Sequence, residues 1–139
     1  MDSLLGSRDQ WMPDVPVGIL SNSSTCHLPS VRAALSRLDG RYMKLDAGNL
    51  PPERVLEGLR SLKNTVLQSL FFDGAVRNTS PSQIGEWIDA VARIRPHSVQ
   101  VYTIDRPTRR EGLCRVPTET LNRIAEDLFT ATQVPAETY

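Results

Sequence analysis

Four times along this chain a short apolar run ends in polar residues and gives way to a helical pattern, and that order leaves few folds open. The runs are Val15 to Leu20, Arg41 to Asp46, Val66 to Phe72 and Val99 to Pro107. Their tips are Ser21-Asn22-Ser23-Ser24, Asp46-Ala47-Gly48-Asn49, Asp73-Gly74 and Asp105-Arg106-Pro107. Each tip precedes a segment with one apolar face at helical spacing. The first is Val31, Ala34, Leu35, Leu38; the second is Val55, Leu56, Leu59, Leu62. The third is Ile84, Trp87, Ile88, Val91, and the fourth is Leu121, Ile124, Ala125, Leu128. Ser80, Pro81 and Gln83 predict a capped helix start, with the proline in the first turn and a capping box closed by the glutamine.

Strands that begin roughly 25 to 30 residues apart, with a helix between each, predict right-handed βαβ units and a parallel sheet. The expected fold class is therefore α/β: four consecutive βα units forming part of a TIM-like (β/α) barrel. At 139 residues the chain has the length of one domain. Residues 1–14 read as a weak helix broken by Pro13, residues 15–131 as the four units, and residues 132–139 as a tail.

Composition narrows the partners. Sixteen basic residues balance sixteen acidic ones, so no net field draws the chain to nucleic acid or an acidic membrane. No apolar run approaches the roughly 20 residues of a membrane helix, and the first residues lack a signal-peptide core, which predicts a cytoplasmic protein without membrane association. Cys26 and Cys114 are distant in sequence and predict reduced thiols. Neither His27 nor His97 stands at metal-ligand spacing with the other, and no metal site is expected. Phosphate-loop, dinucleotide and nucleophile-elbow motifs are missing, so no catalytic residue is assigned.

Ligands of parallel α/β folds sit at the carboxyl ends of the strands, which makes the tips the candidate site. Ser21, Asn22 and Ser23 serve either a ligand or simple turn chemistry. Lys44 and Asp46, two apart, share one face with Tyr42. Lys44 is either half of an ion pair with Asp46 or an ammonium directed into a polar pocket. Gln68 and Ser69 face opposite ways in the third strand, and a buried amide there needs a partner. Asp105 and Arg106 close the fourth, where Pro107 biases Arg106 towards an extended conformation and turn chemistry is the other reading. Arg106, Arg109, Arg110 and Arg115 form a basic cluster, read as a solvated loop or as a seat for phosphate or carboxylate.

Val17 to Ser24, Tyr42 to Gly48, Leu67 to Gly74 and Val99 to Pro107 together resemble the later strands of radical S-adenosylmethionine proteins. The branch they resemble is the iron–sulfur oxidoreductases similar to wyosine synthases. The resemblance runs from about Val15 to Phe129. It implies a partial barrel that binds S-adenosylmethionine and a [4Fe-4S] cluster and makes a 5′-deoxyadenosyl radical. By resemblance, Ser21, Asn22, Ser23, Lys44, Asp46, Gln68, Tyr102, Asp105 and Arg106 line the cofactor or substrate. The family's C-x3-C-x2-C cluster loop and its glycine-rich second tip are not in this sequence. The resemblance thus implies the carboxyl-terminal portion of such a protein, from a truncated or split gene, inactive without a complementing amino-terminal half. It implies as partner that half or, through an open sheet edge, a second copy; the substrate stays unnamed. A wyosine-type role would mean transfer RNA, for which the balanced charge gives no support. Two other readings stand beside it: a non-catalytic interaction or ligand-binding module, and an independent small enzyme built on Lys44 and Asp46.

Overall fold

The computed structural model describes residues 1–106 and 108–139; Pro107, assigned above to the fourth tip, lies outside the described residues. Helix α1 (Asp2–Trp11) precedes strand β1 (Gly18–Ser21). Then come α2 (Pro29–Leu35), β2 (Gly40–Lys44), α3 (Glu53–Arg60) and β3 (Thr65–Phe71). The two-residue β4 (Asp73–Gly74) leads to α4 (Pro81–Ile94), β5 (Ser98–Thr103), the short β6 (Leu113–Cys114), α5 (Thr118–Thr132) and β7 (Ala136–Thr138). Among the described residues, no helix is long and apolar enough to cross a membrane.

The main sheet has five strands in the order β1-β2-β3-β5-β7, and every pairing is parallel. The sheet is thus wound in one direction, as in a segment of a (β/α) barrel. Right-handed crossovers that always advance the same way put their helices on one face, and α3, α4 and α5 pack side by side there. The βα units follow the order expected from the sequence. The residues read as a tail differ: Ala136–Thr138 add a fifth strand beside β5, with Val99, Gln100 and Val101 level with Ala136, Glu137 and Thr138. A second, antiparallel ribbon joins β4 to β6 and folds the loop after β5 back over the end of β3.

Burial alternates along the strands. In β3, Thr65, Leu67, Ser69 and Phe71 are buried, while Val66, Gln68 and Leu70 are half-buried. The buried set points under the helices, where Phe71 meets Trp87 edge-on with ring centroids 5.1 Å apart. Trp87 donates its indole N–H to Ser69 Oγ at 3.0 Å, and Ser69 donates to the Leu45 carbonyl at 2.6 Å. These bonds satisfy the indole N–H and the Ser69 hydroxyl, whereas the buried Thr65 hydroxyl has no hydrogen-bond partner among the described residues. Arg41, also buried, donates to the carbonyls of Leu35, Leu38 and Lys63 at 2.6–2.9 Å. Its charge sits where α2 ends, the favourable pole for a cation.

Helix α4 starts as expected: the Ser80 hydroxyl accepts from the Gln83 N–H, and the Gln83 side chain returns to the Ser80 N–H. Helix α1 is tied down by charge. Arg8 donates to Asp39 at 3.0 Å, Asp39 also accepts the Val17 N–H at 2.7 Å, and Arg37 pairs with Asp2. The Val17 N–H, and then Arg8, hold the Asp39 carboxyl below its ordinary range.

Helix α3 passes so close to the Cys26-His27 backbone that a Cβ on Gly58 would lie 2.7–2.8 Å from its atoms. Backbone on both sides cannot yield as a side chain would. Gly58→Ala is expected to cost about 1–3 kcal/mol, read as a lower urea midpoint with an unchanged slope.

Candidate functional site

Among the described residues, no helix covers the face of the sheet away from α3, α4 and α5. Register places Leu20, Tyr42, Val66 and Ser98 at one level across β1, β2, β3 and β5. Two residues further on, Lys44, Gln68, Gln100 and Glu137 stand level across β2, β3, β5 and β7. Side chains two apart share a face, so this second level is an unbroken polar row, with Leu70 and Tyr102 above it. A parallel sheet covered on both sides carries apolar residues on both. Four polar side chains abreast mark this side as one that meets water or a polar ligand.

The row is internally bonded. Gln68 Nε2 donates to Gln100 Oε1 at 2.8 Å, and Tyr139 donates its hydroxyl to Glu137 at 2.6 Å, with the Gln100 side chain beside it. The Glu137 carboxylate raises the Tyr139 hydroxyl above its ordinary range, with burial adding to the shift. Lys44 Nζ stands 3.7 Å from Asp46, whose other oxygen accepts the Leu70 N–H at 2.8 Å. The ion-pair reading of Lys44 is therefore realised, in a position still open to solvent.

Two clefts flank the row. One, of about 530 Å³, is lined by Leu20, Gln68, Gln100, Tyr102, Thr103, Asp105, Arg115 and Tyr139. Leu20 of the first strand and Tyr139 beyond the last share it, so the open face is concave. The other, of about 510 Å³, gathers Asn22, Lys44, Asp46 and Arg54 against Leu50, Pro51 and Pro52.

Gln68, Tyr102 and Asp105 thus come together in the first cleft, and Asn22, Lys44 and Asp46 in the second. Ser21 and Ser23 do not join them. Ser21 stands level with Met43 on the helix side and accepts the Ser23 N–H at 3.1 Å. Ser23 is buried with φ +70° and donates to the Lys44 carbonyl at 2.8 Å. Asn22 accepts both the N–H and the hydroxyl of Ser24. This tip is largely turn chemistry that braces β2. Arg106 is exposed on the loop that follows β5.

Sequence reasoning passed over Gln100, Glu137 and Tyr139 as site residues and named Arg115 only within the basic cluster. Gln100 had a visible signal, since Val99-Gln100-Val101-Tyr102 alternates as the third strand does. It also passed over Asn78, which is buried, accepts the Phe72 N–H at 2.8 Å and donates to Leu70 and Ala47 carbonyls at 2.7 and 3.2 Å. That side chain clamps the ends of β2 and β3, and with them the tips.

The residues present do not fit the cluster that the resemblance implies. A [4Fe-4S] centre is held by several thiolates, and the sequence has two cysteines. Cys26 is buried, donates to the Val55 carbonyl at 3.4 Å, and has its thiol pushed up by burial. Cys114 is exposed in β6. Among the described residues, no group of three or more His, Cys, Asp or Glu is placed to hold a metal ion. No protein-family model matches the chain, and none of the curated proteins matches it.

Two outcomes follow. Asn78→Ala strands three backbone groups and is expected to cost about 2–4 kcal/mol, seen as a lowered thermal midpoint. A thiol reagent at mildly alkaline pH is expected to label Cys114 rapidly and Cys26 only on unfolding, because the raised pKa and burial withhold the Cys26 thiolate; mass spectrometry of the labelled peptides checks it.

Proposed function

We propose that this chain is a ligand-binding half-barrel of the radical S-adenosylmethionine type, whose concave face takes that nucleoside sulfonium compound without supplying the radical chemistry. The observation that carries the reading is the polar row Lys44–Gln68–Gln100–Glu137 on an uncovered, concave parallel sheet. Backbone alone does not require such a row, and four polar groups abreast on the open side suit a ligand with several donors and acceptors.

The chemistry matches the ligand in parts. Gln68 spends an N–H on Gln100, which leaves its carbonyl oxygen to accept an exocyclic amine. Tyr102 and Tyr139 supply flat apolar surface in the same cleft. Asp105 offers a carboxylate for ribose hydroxyls. In the second cleft, Lys44 and Arg54 suit a carboxylate and Asp46 an ammonium, the two charges at the amino-acid end of the ligand. In the family resembled, the cluster delivers the electron that breaks the sulfonium bond. The donor set of these 139 residues does not hold that cluster, and no radical step is assigned to them.

Titration of the whole chain with S-adenosylmethionine by isothermal calorimetry tests this. One saturable site per chain is expected, weakened about tenfold by Gln68→Leu, the worth of one hydrogen bond to a partly buried group. Arg93→Ala, on the helix layer where Arg93 pairs with Glu53, is expected to leave it unchanged. Absence of saturable heat for the unaltered chain refutes the reading.

A further inference from the structure

The two outer strands of the sheet each pair on one side only: β1 with β2, and β7 with β5. Such edges present N–H and C=O groups ready to receive another strand, and proteins usually guard them with charge or proline. Strand β1 reads Gly-Ile-Leu-Ser and carries neither. Both edges belong to one parallel sheet and run in the same sense. A half-turn about an axis along the strands therefore brings β7 of one copy beside β1 of the other at both junctions at once. A ring of this kind closes on itself and leaves no free edge.

The flanking side chains meet at the right height. Before the start of β1 stand Trp11, Met12 and Val15, exposed by 74%, 55% and 47%. Beside the start of β7 lies a mainly apolar groove of about 410 Å³, lined by Ala125, Phe129, Thr130, Pro135 and Ala136 with Glu126 among them, and Phe129 is 48% exposed. From β2 onward each strand starts one residue beyond the start of its neighbour, and the same step repeated at the joint brings the apolar protrusion of one copy towards the groove of the other. The helix layer continues in the same way. A helix that precedes a strand covers the joint with the strand before it, so α1 of one copy falls in the slot next to α5 of the other, extending the α3–α4–α5 row. The formal charge of zero puts no net repulsion between copies.

We propose that two copies of this chain close head to tail into a ten-stranded parallel barrel, with β7 of each beside β1 of the other and α1 packed on α5 across both joints. The polar rows then become the lining of a shared lumen, which Leu20 and Tyr139 enter from opposite copies. A second copy is the occupant because closure needs a β1-type edge, a β7-type edge and a leading helix at matching heights, and one copy offers all three. This assembly rests on the edges and not on the ligand reading: mass reports one and calorimetry the other.

Light scattering on eluting fractions, over two decades of concentration, is expected to give twice the 15.5 kDa of the chain. Trp11→Lys and Phe129→Glu, each on an exposed side chain, are expected to weaken the dimer about tenfold or more while far-ultraviolet dichroism stays unchanged. Mixed together, the two variants are expected to regain a dimer, because one joint is then native and the other joins a lysine to a glutamate. Val76→Glu, an exposed apolar site away from both joints, is expected to leave the dimer intact. A monomer throughout, a dimer indifferent to both substitutions, or assembly only with a different protein overturns the proposal; so does failure of the mixed variants to recover.

Discussion

Winding every strand in one direction is the constraint on which the rest of this structure depends. With each crossover advancing the same way, the helices collect on one face and the other is left bare. That asymmetry explains why burial alternates along β3, with Leu67 and Phe71 sealed under the helices and Gln68 on the open side between Val66 and Leu70. Residues under the helices can be Leu67, Phe71 and Trp87, sealed by a single polar link through Ser69. Residues on the bare face must keep company with water or a ligand, and the glutamines, the lysine and the tyrosines there do so. Reversal of one crossover would cover the polar row with a helix and strand its amides at several kcal/mol in total.

Much of this was legible before any coordinates. Apolar periodicity gave the helices because a helix buries one stripe, and Val55, Leu56, Leu59 and Leu62 are that stripe. Ser80 and Gln83 are local signals acting over three residues, so they could be read directly. What escaped was decided by distant contacts. Ala136-Glu137-Thr138 has no strand signature of its own and is a strand only because β5 offers an unpaired side. Asn78 looks like one more polar loop residue, and its worth comes from the meeting of two strand ends far apart in sequence. Arg41 opens a strand, where a cation is ordinarily solvated, and is buried here because three carbonyls converge on it.

The candidate site divides along the same line. Lys44 and Gln68 stood out in the sequence, since a polar residue inside an apolar strand is conspicuous, while Tyr102 was singled out only by the resemblance. Glu137 and Tyr139 were not, because their side of the row lies on the unforeseen strand. Small polar residues after a strand look alike whether they hold a ligand or close a turn, and here the hydroxyls of Ser21 and Ser23 are engaged in the turn and its brace to β2. Resemblance to a radical-enzyme family and the lack of cluster ligands in this sequence pull in different directions.

The hydrogen bond between Gln68 and Gln100 gives this surface a sense of direction. An amide has one end that gives and one that takes, and neither glutamine can turn over without breaking its neighbour's bond. Glu137, which only accepts, anchors the far end through Tyr139. The two ends of the row are therefore not interchangeable, and a carboxylate two strands from Gln68 helps to set its polarity.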